Sequence, residues 1–125
     1  MATVRLLLDT NILWQRQLCR QLAAKMSAGL VDVYIPTIVH AERIRQIADQ
    51  YGDRFALASV RQYIEDTGFN LLPLSVADAE VLSEVWLELK GNGADSDYWH
   101  QHRFDIILCA IAHATGYTLV VEDRG

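Results

Sequence analysis

Val4-Arg5-Leu6-Leu7-Leu8-Asp9-Thr10-Asn11-Ile12-Leu13 is the stretch on which the fold reading turns. Its first five residues form a short, almost continuous apolar run, the pattern of a strand buried on both faces. An acid, a hydroxyl and an amide follow at once. They end the strand and lead into a helical spacing of Ile12, Leu18, Leu22 and Met26, closed by Gly29. The same alternation continues outward. Val31 to Ile35 reads as a second strand stopped by Pro36, and Thr37 as the N-cap of a helix carrying Ile38, Ala41, Ile44 and Ala48. Asp53 caps a further helix that ends at Gly68. Asn70 to Leu74 is a third strand, with Pro73 marking a sheet edge or the strand's end. Ser75-Val76-Ala77-Asp78 resembles a capping box with Asp in place of Glu, opening a helix to about Lys90. Gly91 to Arg103 reads as one long loop, Phe104-Asp105 as the start of a last helix, and Tyr117 to Val121 as the last strand. Strands separated by helices require crossovers and hence a parallel sheet. The expected class is α/β, a three-layer α/β/α domain with a central parallel sheet over residues 1–125.

Composition excludes several classes. At 125 residues, 51% hydrophobic and 22% charged, the chain can close a core and is no disordered tail. No apolar run approaches the roughly 18 residues of a membrane span. Met1 opens directly onto the first strand, so no signal or transit peptide is expected. Cys19 and Cys109 lack CxxC spacing, which fits the reducing cytoplasm. A net charge of -5 argues against a passive nucleic-acid coat, whose affinity comes from neutralising phosphates. It leaves open a metal-dependent nuclease, because bound cations invert the local charge. Nucleotide-binding glycine loops are absent.

In open parallel sheets, ligands bind beyond the carboxyl ends of the strands. Asp9 follows the first strand and Asp123 the last. Glu42 lies early in the helix after the second strand, and Asp105 in the expected first turn of the last helix. Four acids from distant parts of the chain thus converge on one edge. Each also has a structural reading: Asp9 as an N-cap, Asp105 as a first-turn carboxylate, Glu42 as a partner of Arg45 or Gln46, Asp123 as a turn residue. Clustered carboxylates with few lysines nearby favour a hard divalent cation, Mg²⁺ or Mn²⁺.

The run Leu6 to Leu13, with Asp9-Thr10-Asn11 at its centre, resembles the opening motif of PIN-domain nucleases. Glu42 in Ile38-Val39-His40-Ala41-Glu42 is similar to the family's second acid. Asp105 in Phe104-Asp105-Ile106-Ile107 is similar to the third, and Asp123 after Leu119-Val120-Val121 to the fourth. The ordered set spans the chain, and its compact size looks most like the VapC-type toxins of toxin–antitoxin pairs. The resemblance implies a PIN-like fold and a metal-dependent ribonuclease in which Asp9, Glu42, Asp105 and Asp123 hold Mg²⁺ or Mn²⁺. Asn11 would orient a ligating carboxylate from behind. It also implies an RNA substrate, a homodimer and a cognate antitoxin. Two departures stand out. Val121 occupies a position where the family often has Ser or Thr, and the chain stops at Gly125 where the family continues, as a C-terminally truncated domain would.

Other signals are weaker. His100-Gln101-His102 invites a zinc reading but lacks a Cys or helical partner, so the histidines read as solvated loop residues. Trp99, beside Tyr98 in the expected loop, is a base-stacking candidate, whereas Trp14 and Trp86 fall in helical stripes. Arg16, Arg20, Arg43 and Arg45 follow the motifs closely enough to face phosphates. The competing reading is a non-catalytic α/β binding or phosphoacceptor-like signalling domain with an acidic metal pocket. It would want a lysine near the last strand, and Lys25 and Lys90 are both helical.

Overall fold

A computed structural model describes residues 3–121. Strand β1, Val4–Leu8, leads into a short 3-10 turn, Thr10–Trp14, and then helix α1, Arg16–Ser27. Strand β2, Val31–Pro36, is followed by α2, Thr37–Tyr51, and α3, Asp53–Thr67. Strand β3, Asn70–Leu72, precedes α4, Val76–Gly91, and α5, Ser96–Thr115, and β4, Thr118–Val120, comes last. The strands form one parallel sheet, as the alternation predicted, and their order is β3-β2-β1-β4.

Strand β1 is the axis of the sheet. Leu7 and Leu8 point to opposite faces, and both are fully buried. Each such leucine contributes roughly 1.5–3 kcal/mol through burial. Helices must therefore cover both faces. Leu8, Val33, Ile35, Leu22 and Val39 form the main core, and Ile47, Ala56 and Val60 join α2 to α3 in a second cluster. Helix α5 packs on β4, and α4 packs on α5.

The chain builds the sheet from β1 outward through β2 to β3, then returns to place β4 on the other side of β1. That reversal makes a topological switch point between β1 and β4, and open α/β sheets hold their ligands beyond the carboxyl strand ends at such a point. Strand β3 stops before Pro73 and lies at the sheet edge, so both consequences expected of the proline hold.

Two helix-to-strand junctions use one device. Thr67 Oγ1 donates to Tyr63 O at 2.9 Å and accepts from Phe69 N at 3.3 Å, with Gly68 at φ 71°. Thr115 Oγ1 donates to Ile111 O at 2.7 Å and accepts from Tyr117 N at 3.2 Å, with Gly116 at φ 74°. The left-handed glycine ends the helix and the threonine occupies the freed backbone groups. The capping box also forms: Ser75 N donates to Asp78 Oδ2 at 2.9 Å and Asp78 N to Ser75 Oγ at 3.0 Å.

Three local expectations are corrected. The largest concerns Gly91 to Arg103, which is not a long loop. Asp95 N-caps α5 by accepting from Tyr98 N at 2.9 Å, and the helix is under way from Ser96. Only the first part of that stretch carries turn residues, and Trp99 is drawn onto Trp86 of α4 with ring centroids 5.1 Å apart. Second, the helix after Asp9 is interrupted at Gln15, so Ile12 and Leu18 belong to separate elements. Third, Thr37 and Asp53 are the first helical residues of α2 and α3; Pro36 and Gly52 hold the capping positions.

Candidate active site

The switch point is anchored by Asp9. Its backbone N donates to Val120 O at 3.2 Å, tying the carboxyl end of β1 to that of β4. Its side chain caps the 3-10 turn, with Oδ1 accepting from Thr10 N at 2.6 Å. Asp9 is half-buried and Thr10 beneath it is buried. Asn11 is half-buried in the same turn. The strand thus delivers a carboxylate to the switch point of the sheet and the turn holds it there.

Glu42 sits one and a half turns into α2, half-buried. Arg45, one turn on, closes over it: Nε donates to Oε2 at 3.1 Å and Nη2 to Oε1, while Nη1 holds Asp49 at 2.7 Å. The hydrogen bond from Arg45 holds the Glu42 carboxyl below its usual pKa, and burial opposes that shift. Gln46 and the charge of Arg103 on α5 lower it further, so α5 bears on the same region as α2. The ion-pair reading of Glu42 is therefore realised in the described chain.

Asp105 is exposed and lies midway along α5, not in a first turn, because the helix begins nine residues earlier at Ser96. Its charge is felt by Cys109 one turn on, whose thiol is pushed up by burial first and by Asp105 second. Asp123 lies outside the described residues. Among the described residues, no three His, Cys, Asp or Glu side chains are grouped to hold a metal ion. Three of the four acids are thus located, on β1, α2 and α5, each on its own element.

The arginines and aromatics divide differently from their expected roles. Arg45 is committed to Glu42 and Asp49, and Arg43 is buried, with its guanidinium over the Trp14 ring at 4.6 Å and the Tyr63 ring at 5.0 Å. Trp14 Nε1 donates to Gln46 Oε1 at 2.8 Å. Trp99 is half-buried against Trp86, and His102 stacks on Tyr98 with centroids 4.4 Å apart, all within helices. The stacking and zinc readings both assumed a loop that is a helix. Burial of Arg43 went unforeseen; the legible signal was its place in the apolar spacing Val39, Arg43, Ile47.

Comparison with solved structures bears on the fold. A chain of VapBC2 from Rickettsia felis, solved bound to a DNA fragment from its promoter, superposes with a TM-score of 0.72 at 17% identity. The match covers 96% of this chain and 88% of that one. The chain has the fold of VapBC proteins. DNA-bound VapBC from Salmonella typhimurium gives a TM-score of 0.66 at 20% identity, over 95% of this chain and 85% of that one. No family model and no curated protein matches the sequence. The expected PIN-like α/β class agrees with this VapBC-like fold. No helix among the described residues is long and apolar enough to cross a membrane.

Proposed function

We propose that this protein is a metal-dependent endoribonuclease, the toxin component of a type II toxin–antitoxin pair. The observation that carries the reading is Asp9, set at the carboxyl end of the buried central strand and at the switch point between β1 and β4. The likeness in fold to VapBC chains over nearly the whole length supports the toxin–antitoxin assignment.

Asp9, Glu42, Asp105 and Asp123 are the proposed ligands of Mg²⁺ or Mn²⁺, and an all-oxygen donor set suits these ions. Held by these carboxylates, a divalent ion would supply charge stabilisation at the scissile phosphate and an activated water at neutral pH. The protein's own part is to fix the donors. The Thr10 amide holds one oxygen of Asp9. Arg45 keeps Glu42 ionised and must yield at least one of its oxygens when the site is filled. Asn11 orients a carboxylate from the 3-10 turn.

The proposed partners are RNA, a second copy of the chain and a cognate antitoxin, and the proposed location is the cytoplasm. The dimer is supported by α4. Asp78 is its one buried residue among those described, while Val76 and Leu87 are 77% and 65% exposed. A helix this apolar calls for a cover beyond α5. The phosphoacceptor alternative is not favoured, because Lys25 and Lys90 sit at the far ends of α1 and α4.

The deciding experiment incubates the protein with structured RNA and Mn²⁺, with and without chelator. Cleavage that chelator abolishes supports the reading, and cleavage that survives chelator overturns the metal mechanism. Absence of cleavage under both conditions overturns the nuclease itself.

A further inference from the structure

A cleft of about 660 Å³ lies among α1, α2 and α3, with Leu13, Ala23, Ile47 and Val60 among its apolar walls and none of Asp9, Glu42 and Asp105 in its lining. Arg43 of α2 lines it while remaining only 9% exposed. The Nε and Nη1 atoms of Arg43 are buried with no hydrogen-bond partner. Its guanidinium lies over the Trp14 and Tyr63 rings in cation–π contacts, at 4.6 and 5.0 Å. Two of its in-plane donors, Nε and Nη1, therefore remain unused. The groups that bear on its charge are Tyr63, Cys19 and Arg16, and none is a carboxylate.

Buried guanidinium groups are ordinarily paired with an anion, because an isolated buried charge is costly. Arg16 and Arg20 also line the cleft, against one acid, Asp66. The cleft is thus locally positive in a chain whose net charge is -5. Its volume is that of a small-ligand site, and an apolar lining with one converging charge is the usual make-up of such a site. A nucleic-acid backbone is met by a track of exposed Lys and Arg. Here the unused donors lie below the surface among apolar side chains, which suits a single anionic head on an apolar body.

We propose that this cleft binds a small amphipathic carboxylate, its head on the in-plane edge of Arg43 and its apolar body between α1 and α3. The site uses none of the four proposed catalytic acids and does not depend on the nuclease reading.

The test uses the full chain and a fluorescent reporter, anilinonaphthalene sulfonate, displaced by decanoate or by decanol, which share a tail and differ in charge. Decanoate should displace the reporter at a concentration about tenfold below decanol, as a charge-assisted guanidinium contact requires. Arg43→Met keeps the apolar length and removes an unpaired buried charge, so the protein should stay folded by circular dichroism. In that variant the two ligands should displace within about twofold of each other. Arg43→Gln repeats the comparison should the Met variant not fold. Ala23→Trp, filling the cleft, should weaken both ligands about tenfold. Equal displacement by decanoate and decanol in the wild type overturns the proposal, as does a preference that survives loss of the guanidinium. Displacement by an acidic amphipathic peptide or an RNA oligonucleotide but not by decanoate overturns it in favour of a macromolecular partner.

Discussion

Replacing Asp9 by Asn and by Ala separates two jobs that one carboxylate performs. As a cap, Asp9 accepts from Thr10 N at 2.6 Å at the start of the 3-10 turn. An Asn Oδ1 can accept the same bond, and Asn and Asp are equivalent caps, so Asp9→Asn should change stability by less than about 0.5 kcal/mol. Alanine cannot accept it. Thr10 is buried, so the lost bond is not made good by water, and the cost should be about 0.5–2 kcal/mol. For a domain of this size that lowers Tm by about 2–10 °C. As a ligand, the carboxylate has no substitute in either variant. Loss of residues that merely orient a metal ligand already costs about 10–100-fold, so RNA cleavage should fall more than about 100-fold in both. Mn²⁺ at a hundred times its Kd should stabilise the wild type by about 2.7 kcal/mol, and both variants by much less. The assay is a pair of thermal melts, in chelator and in Mn²⁺, beside gel-based RNA cleavage. The reasoning fails if Asp9→Asn cleaves RNA as fast as wild type, or if it melts as low as Asp9→Ala.

Three further predictions follow from the same geometry. Arg45→Ala should raise the Glu42 pKa toward its ordinary value of 4.5, because the Arg45 hydrogen bond is the largest cause of its depression. A depressed carboxyl stabilises the fold above its unfolded pKa and loses that stabilisation as pH falls through the folded one. The variant should therefore be less stable than wild type at neutral pH, with the difference closing as pH falls through the depressed Glu42 pKa of the wild type, and an unmoved Glu42 titration by NMR would contradict this. Asp78→Ala removes a nearly buried carboxylate from the capping box and should cost about 1–2 kcal/mol, read as a lowered denaturation midpoint at unchanged slope. Gly68→Ala forces a side chain into φ 71°, with its Cβ 3.3 Å from Met26 Cε, and should cost about 1–2 kcal/mol. Gly91→Ala, in open space and without positive φ, should be neutral or slightly stabilising; equal losses for both would refute the argument.

What the sequence by itself determined is local chemistry. The strand from Val4 to Leu8 could be read because covering both faces of a strand calls for consecutive apolar side chains, and its carboxyl half, Leu7 and Leu8, is fully buried while Val4 and Arg5 are exposed. The capping box at Ser75 and Asp78 and the glycine stops at positions 68 and 116 could be read because each depends on neighbours within a few residues. The placement of Asp9 followed from the same kind of reasoning, since a carboxylate directly after a buried parallel strand has only the sheet's carboxyl edge to occupy. Tertiary contacts decided the rest. The segment from Ser96 to Arg103 carries Asp, Ser and His, whose intrinsic preference is weak; its helix is capped locally by Asp95 and packs on α4 through Trp99 and Trp86. The earlier helix start places Asp105 mid-helix and not in a first turn. The order β3-β2-β1-β4, and with it the switch point beside Asp9, depends on which strands pair across long stretches of chain. Arg43 reads in sequence as one more helical cation. The spacing Val39, Arg43, Ile47 marks the apolar side of its helix, but the meeting of its guanidinium with Trp14 and Tyr63, from separate elements, is decided in three dimensions.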